Sequence, residues 1–213
     1  MEARASFSER ERYKHPVVIA MNDIVSFIQK AIDNLDLRKV DELLDLLVGA
    51  YKSRKKILVM GAGRSGLIAK AFGMRLLHLG FTVYALGDSL VPSVSKGDIV
   101  IAVSGSGSTK LIVTAAETAK TVGAKVVAIT SYPDSPLGKL ADLTIVVPGR
   151  TKTSHITDYF ARQILGVYET TAPLGTLFED TVSVFLDGVV YALMLRLNVN
   201  EDDMKSRHAN IEL

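Results

Sequence analysis

From Lys56 to Val147 the chain alternates short runs of aliphatic and β-branched residues with helical patterns. That alternation restricts the fold more than any other feature. The runs read ILVM, TVYAL, DIVIAV, KVVAIT and LTIVV. They are nearly continuously apolar, which suits strands buried on both faces of a sheet. Helical spacing between them predicts helices over about 67–79, 109–122 and 136–141. Strands alternating with crossover helices give an α/β fold, a three-layer αβα sandwich with a five-stranded parallel sheet covered on both faces.

The flanks read differently. Ile24, Phe27, Ile28, Ala31, Ile32 and Leu35 fall on one helical face, and Val40, Leu43, Leu44, Leu47, Val48 and Tyr51 repeat the spacing, so two amphipathic helices form an N-terminal extension. After Pro148 a polar stretch leads to ITDYFARQILGVYET and then a strong helix over about 177–197. The last stretch, NVNEDDMKSRHANIEL, is too polar for a core. With no repeat, low-complexity segment or linker, the expectation is one domain: helices over 1–55, an αβα core over 56–198 and a tail over 199–213.

Composition removes several functions. A net charge of +2 without a dominant basic cluster argues against a nucleic-acid partner. There is no cysteine, and His15, His78, His155 and His208 lack close ligand spacing, so no metal is expected. The most hydrophobic stretch, Val182 to Leu197, is interrupted by Asp187 and Arg196, and the first fourteen residues hold no apolar segment. A cytoplasmic protein with no membrane contact is the expectation.

Two glycine loops each follow a strand and precede a helix. The first, GAGRSG, places Gly61, Gly63 and Gly66 in the G-x-G-x-x-G pattern, and Asp88 stands nearly where a dinucleotide fold would hold a ribose hydroxyl. The second, SGSGST, interleaves Ser104, Ser106, Ser108 and Thr109 with Gly105 and Gly107. Hydroxyl and backbone donors at a helix start can together wrap one phosphate monoester. Serine and glycine also make ordinary caps and turns. The first loop would also suit a phosphate, but the serine loop is the better cradle, and two such loops at the carboxyl ends of strands favour a ligand site. Neither loop is a Walker motif, and no second domain remains to serve a nicotinamide enzyme.

GAGRSG, SGSGST, APLGTLFE and the terminal RHANIEL together resemble the sugar isomerase (SIS) domain family, and within it the 6-phospho-3-hexuloisomerases. The resemblance runs over essentially the whole chain. It departs from the family at Ser108, where the cradle usually reads S-G-S-G-E-T. It implies a flavodoxin-like SIS fold and interconversion of 3-hexulose 6-phosphate and fructose 6-phosphate without a cofactor. It also implies a homo-oligomer, a tetramer, with active sites near subunit contacts. Another phosphosugar isomerase or a non-catalytic sugar-phosphate sensor could use the same fold.

Moving a carbonyl between neighbouring carbons requires a base that removes a proton from one and returns one to the other. The residues alone read Glu179 as the acid of a capping box, Thr176-x-x-Glu179. The resemblance instead assigns Glu179 as the catalytic base. His208 is the second catalytic candidate, in its own or a neighbouring subunit's site, although a histidine near a terminus is commonly just solvated. Arg64 and Ser65, at the mouth of the first loop, could meet a sugar hydroxyl or the enediolate oxygen, or simply start a helix. Lys110 reads as a solvent-facing lysine.

Overall fold

The computed structural model describes residues 13–149, 172–173 and 175–208. Five parallel strands, β1 (Lys56–Gly61), β2 (Thr82–Ala85), β3 (Ile99–Val103), β4 (Lys125–Thr130) and β5 (Leu143–Val146), form one sheet in the order β2-β1-β3-β4-β5. All four pairings are parallel. The interior strand β3 is buried at every position, as its unbroken apolar run requires.

Helices α1 (Pro16–Asp33) and α2 (Leu37–Lys52) precede the sheet. Helix α3 (Arg64–Leu79) joins β1 to β2, α4 (Lys110–Thr121) joins β3 to β4, and α5 (Pro136–Leu140) joins β4 to β5. Helix α6 (Thr176–Leu197) and a short α7 (Glu201–Ser206) close the chain. One face of the sheet packs under α2, α3 and α6 around Leu47, Leu76, Ile101, Phe178 and Leu193. The other packs under α4 and α5 around Val100, Ile112, Val126 and Leu137. This is the three-layer arrangement that the alternation predicted.

Two differences at the ends have local causes. Helix α1 begins eight residues before the first periodic apolar residue, Ile24, because Pro16 opens it and His15 Nδ1 accepts the Val17 N–H at 3.3 Å. Part of the tail, expected to be a polar extension, forms α7 over Glu201–Ser206. There the Asn200 side chain accepts from the Asp203 N–H at 2.9 Å while Asp203 accepts from the Asn200 N–H at 3.0 Å, a reciprocal cap. Met204 packs on the core, and Arg207 donates to the His78 carbonyl at 3.1 Å. The described part of the tail is thus held by Val199 and Met204 on the core, the reciprocal cap, Arg207 and the His208 ring against His78.

Asp98, read as the first strand residue of DIVIAV, lies just before β3 and serves a different purpose. Its carboxylate is 4% exposed and accepts from the Ser95 N–H at 2.8 Å and the Lys56 N–H at 3.0 Å, with Lys56 Nζ 3.3 Å away. It fixes the start of β1 against the turn entering β3. Asp98→Ala should lower stability by about 2–4 kcal/mol, because the buried carboxylate is the acceptor for two part-buried backbone N–H bonds and for a partly buried ammonium. Urea denaturation checks this, and a loss under 1 kcal/mol, the scale of a single exposed contact, would contradict it.

Candidate active site

Strand order reverses between β1 and β3, since β1 feeds a connection to one side and β3 to the other. In open α/β sheets the crevice beyond the carboxyl ends at that point is where ligands bind. Gly61 and Val103 are register partners, so the two glycine loops leave adjacent strands at the same level, about 4.8 Å apart.

The first loop is a tight strand-to-helix turn. A Cβ at Gly61 would lie 2.7 Å from the Ser65 carbonyl oxygen, and one at Gly66 only 2.6 Å from the Gly61 oxygen, so both glycines are needed for closeness. Gly63 is needed for its conformation, with φ +58° and open space around it. The turn puts Arg64, exposed, and Ser65, half-buried, at the start of α3.

The serine loop is braced from beneath. Ser131 N–H donates to the Gly105 carbonyl at 3.1 Å, Leu137 N–H to the Gly107 carbonyl at 2.9 Å, and the Thr130 hydroxyl to the Gly105 carbonyl at 3.3 Å. Within the loop, Ser104 N–H donates to the Ile129 carbonyl and Gly107 N–H to the Ser104 carbonyl, each at 3.0 Å, so the loop's shape is fixed by its own backbone as well as by β4 and α5. Ser104 is buried, its Oγ 3.4 Å from Thr109 Oγ1, while Ser106 Oγ accepts from the exposed Ser108 Oγ at 3.1 Å and its N–H at 3.3 Å. Thr109 holds the N-cap position of α4 but makes no side-chain cap, which leaves the helix's first N–H groups open toward the loop. Lys110 is exposed, as read from the sequence.

Glu179 stands beside the first loop and does not act as a cap. Helix α6 starts at Thr176 with Gly175 in the N-cap position at φ +91°, so Glu179 is one residue too far along for a capping box. The helix start is set by close approach: a Cβ at Gly149, just past β5, would lie 2.4 Å from the Phe178 Cβ. The Glu179 side chain is 13% exposed, and its Oε2 sits 2.8 Å from Arg64 Nε. The N–H is not aimed at the oxygen, and Oε2 is the buried side-chain oxygen that, among the described residues, carries no hydrogen bond. Burial pushes the Glu179 carboxyl above its ordinary range, Arg64 pulls it back in part, and Asp180 adds to the rise. Arg64 Nη1 donates to Thr176 Oγ1 at 3.2 Å, a contact that sequence reading missed because its partners are 112 residues apart.

The structure therefore brings Gly61, Gly63, Arg64, Ser65 and Glu179 together, with Ser104, Ser106, Ser108 and Thr109 on the neighbouring strand end. It does not bring His208 to them within one chain. His208 stacks on His78, ring centroids 4.7 Å apart, at the far end of α3, about 21 Å along the helix from Arg64. Asp88, the candidate ribose ligand of the dinucleotide reading, is paired to Lys70 at 2.7 Å. The stretch ITDYFARQILGVYET, His155 and the last five residues of RHANIEL lie outside the described residues. Among the described residues no His, Asp and Glu cluster is arranged to hold a metal, and no helix is long and apolar enough to cross a membrane.

The sequence that builds this sheet and these loops matches a known family. The SIS domain model matches residues 50–167, and the chain belongs to the SIS domain family. Its similarity extends to particular members. A Bacillus subtilis 3-hexulose-6-phosphate isomerase is 37% identical over 190 residues, covering 89% of this chain and 96% of that one. One from Mycobacterium gastri is 40% identical over 175 residues, covering 82% and 83%. A Methanococcus jannaschii crystal structure, from which a molecular function of 3-hexulose-6-phosphate isomerase was inferred, superposes with a TM-score of 0.71 at 35% identity, covering 92% of this chain and 98% of that one.

Proposed function

We propose that this chain interconverts D-arabino-3-hexulose 6-phosphate and D-fructose 6-phosphate, with Glu179 as the base. The observation that carries the reading is the Glu179 carboxylate, with Oε2 buried, relieved of any capping duty and set against Arg64 where the first glycine loop emerges. In the direction of fructose 6-phosphate, Glu179 takes the proton from carbon 2, and the electrons form the carbon 2–carbon 3 double bond of an enediolate as the carbonyl oxygen on carbon 3 becomes anionic. The proton is then delivered to carbon 3, while the hydroxyl proton on carbon 2 passes to the anionic oxygen on carbon 3, which becomes a hydroxyl as carbon 2 becomes the carbonyl. Atoms and electrons balance within the sugar. Arg64 is the cation placed to offset the enediolate charge. The serine loop holds the phosphate, so that binding energy far from the reacting carbons orients them.

His208 serves no step of its own subunit's site in this reading; any proton transfer by it belongs to a neighbouring copy's site. Oligomerisation is consistent with the exposed Val17, Met21 and Val25 on α1 and Tyr191 and Leu195 on α6. The tetramer that the resemblance implies is part of the proposal.

The reading is tested by supplying 3-hexulose 6-phosphate and following fructose 6-phosphate in a coupled assay; turnover supports it, and binding without turnover would make the chain a sensor. The pH profile gives a further check. A base must be ionised to act, and Glu179 ionises above the ordinary carboxylate range, so the acid limb of kcat/KM should lie above pH 4.5. A limb at or below that value would argue that another group is the base.

A further inference from the structure

We propose that Thr176 is a positioning residue that keeps the Arg64 guanidinium from closing fully on Glu179, so that the carboxylate stays free to take a proton. The inference rests on the isomerase reading above. Thr176 and Glu179 are three residues apart and face the same way from the first turns of α6. Arg64 reaches both: Nη1 donates to Thr176 Oγ1 at 3.2 Å while Nε lies 2.8 Å from Glu179 Oε2.

A guanidinium left alone with a carboxylate prefers two parallel hydrogen bonds, and such a fork would lock both carboxylate oxygens. Here the threonine hydroxyl holds Nη1, which blocks the end-on fork of Nη1 and Nη2 and keeps the guanidinium turned so that the Nε–H is misdirected, leaving Oε2 without a hydrogen bond. Thr176 is 7% exposed and has no capping function, since Gly175 occupies the N-cap position and makes no side-chain cap. Gly175 adds to the arrangement: a Cβ there would lie 3.3 Å from Glu179 Oε2 and crowd the oxygen that must receive the proton.

Thr176→Val keeps the shape and removes the acceptor. Arg64 then turns both arms to Glu179, a firmer pair that holds the carboxylate ionised and makes it a weaker base. The expected result is a fall in kcat of about 10-fold or more with KM little changed, and an acid limb displaced to lower pH. Thr176→Ser should restore both. In an Arg64→Gln background Thr176→Val should add no further loss, because the threonine acts only through that arginine.

A valine variant with wild-type kcat and an unmoved limb overturns the proposal while leaving the isomerase reading intact. A limb displaced upward, or the same loss in the Arg64→Gln background, also overturns it. If the wild-type chain itself isomerises no phosphosugar, the isomerase reading fails and this inference falls with it. Thermal melts of each variant separate unfolding from loss of position: kcat per folded molecule and the limb would be unmoved by a purely structural change.

Discussion

Glu179→Gln should lower kcat by about 10² to 10⁴-fold and leave the folded state as stable as before or more so. The two halves of that expectation have one cause. Folding buries the carboxyl, leaves Oε2 without a hydrogen bond and raises its pKa, with Arg64 offsetting only part of the rise. A group whose pKa is higher in the folded chain favours folding at pH below its unfolded value, and loses that contribution as pH rises through its folded value. Near neutral pH the wild-type protein therefore carries an ionised carboxylate that folding disfavours. Glutamine has the same shape without the charge, and Arg64, half-exposed, can turn to solvent. Steady-state turnover and urea denaturation at pH 7 measure both halves. Retained turnover would remove Glu179 as the base, and a loss of several kcal/mol would show that its charge supports the fold.

Gly107→Ala is expected to be a strongly damaging single methyl in the serine loop. Gly107 has φ +59°, and a Cβ there would fall 1.9 Å from Ser135 Oγ, 2.6 Å from Ser135 Cβ and 2.9 Å from Thr130 Oγ1. Ser135 cannot simply rotate away. Its hydroxyl donates to the Tyr132 carbonyl at 2.6 Å and accepts from the Gly138 N–H at 3.2 Å, capping α5. Left-handed backbone and overpacking together should lower stability by about 2–5 kcal/mol. For a chain of this length the melting temperature should fall by roughly 5–15 °C. The displaced loop should raise KM for a phosphosugar by about 10-fold or more, because its donors no longer converge. Gly63→Ala is the control, since Gly63 has φ +58° but nothing near its missing Cβ, so only the backbone penalty applies. Equal destabilisation by both would mean that strain, not crowding against Ser135, dominates.

The sheet and the two loops were legible because their signals are local. β-Branched runs such as KVVAIT and glycines such as Gly61 and Gly66 state their own conformational needs within a few residues. The carboxylate's environment was not legible. Thr176-x-x-Glu179 satisfies a capping-box spacing, yet the helix start shifts by one because Gly175 takes a left-handed conformation and Gly149 lets Phe178 approach β5. Neither contact has a counterpart in the local pattern. Arg64 likewise finds Thr176 and Glu179 only through the packing of α3 on α6. At the tail the local signal was present, since Asn200 and Asp203 stand at capping-box spacing, but the polarity of the segment argued for an undocked tail. What holds it, Met204 and Arg207 on α3 and its neighbours, is tertiary, and it carries His208 away from Glu179 within the chain.

The most direct test of the account is to place the protein in deuterated water with fructose 6-phosphate and a chelator, and to follow each carbon-bound proton by NMR. The account predicts deuterium at carbon 3 with a 3-ketose appearing, and neither in Glu179→Gln. Exchange at carbon 1 with an aldose product, or no exchange at all, would contradict it.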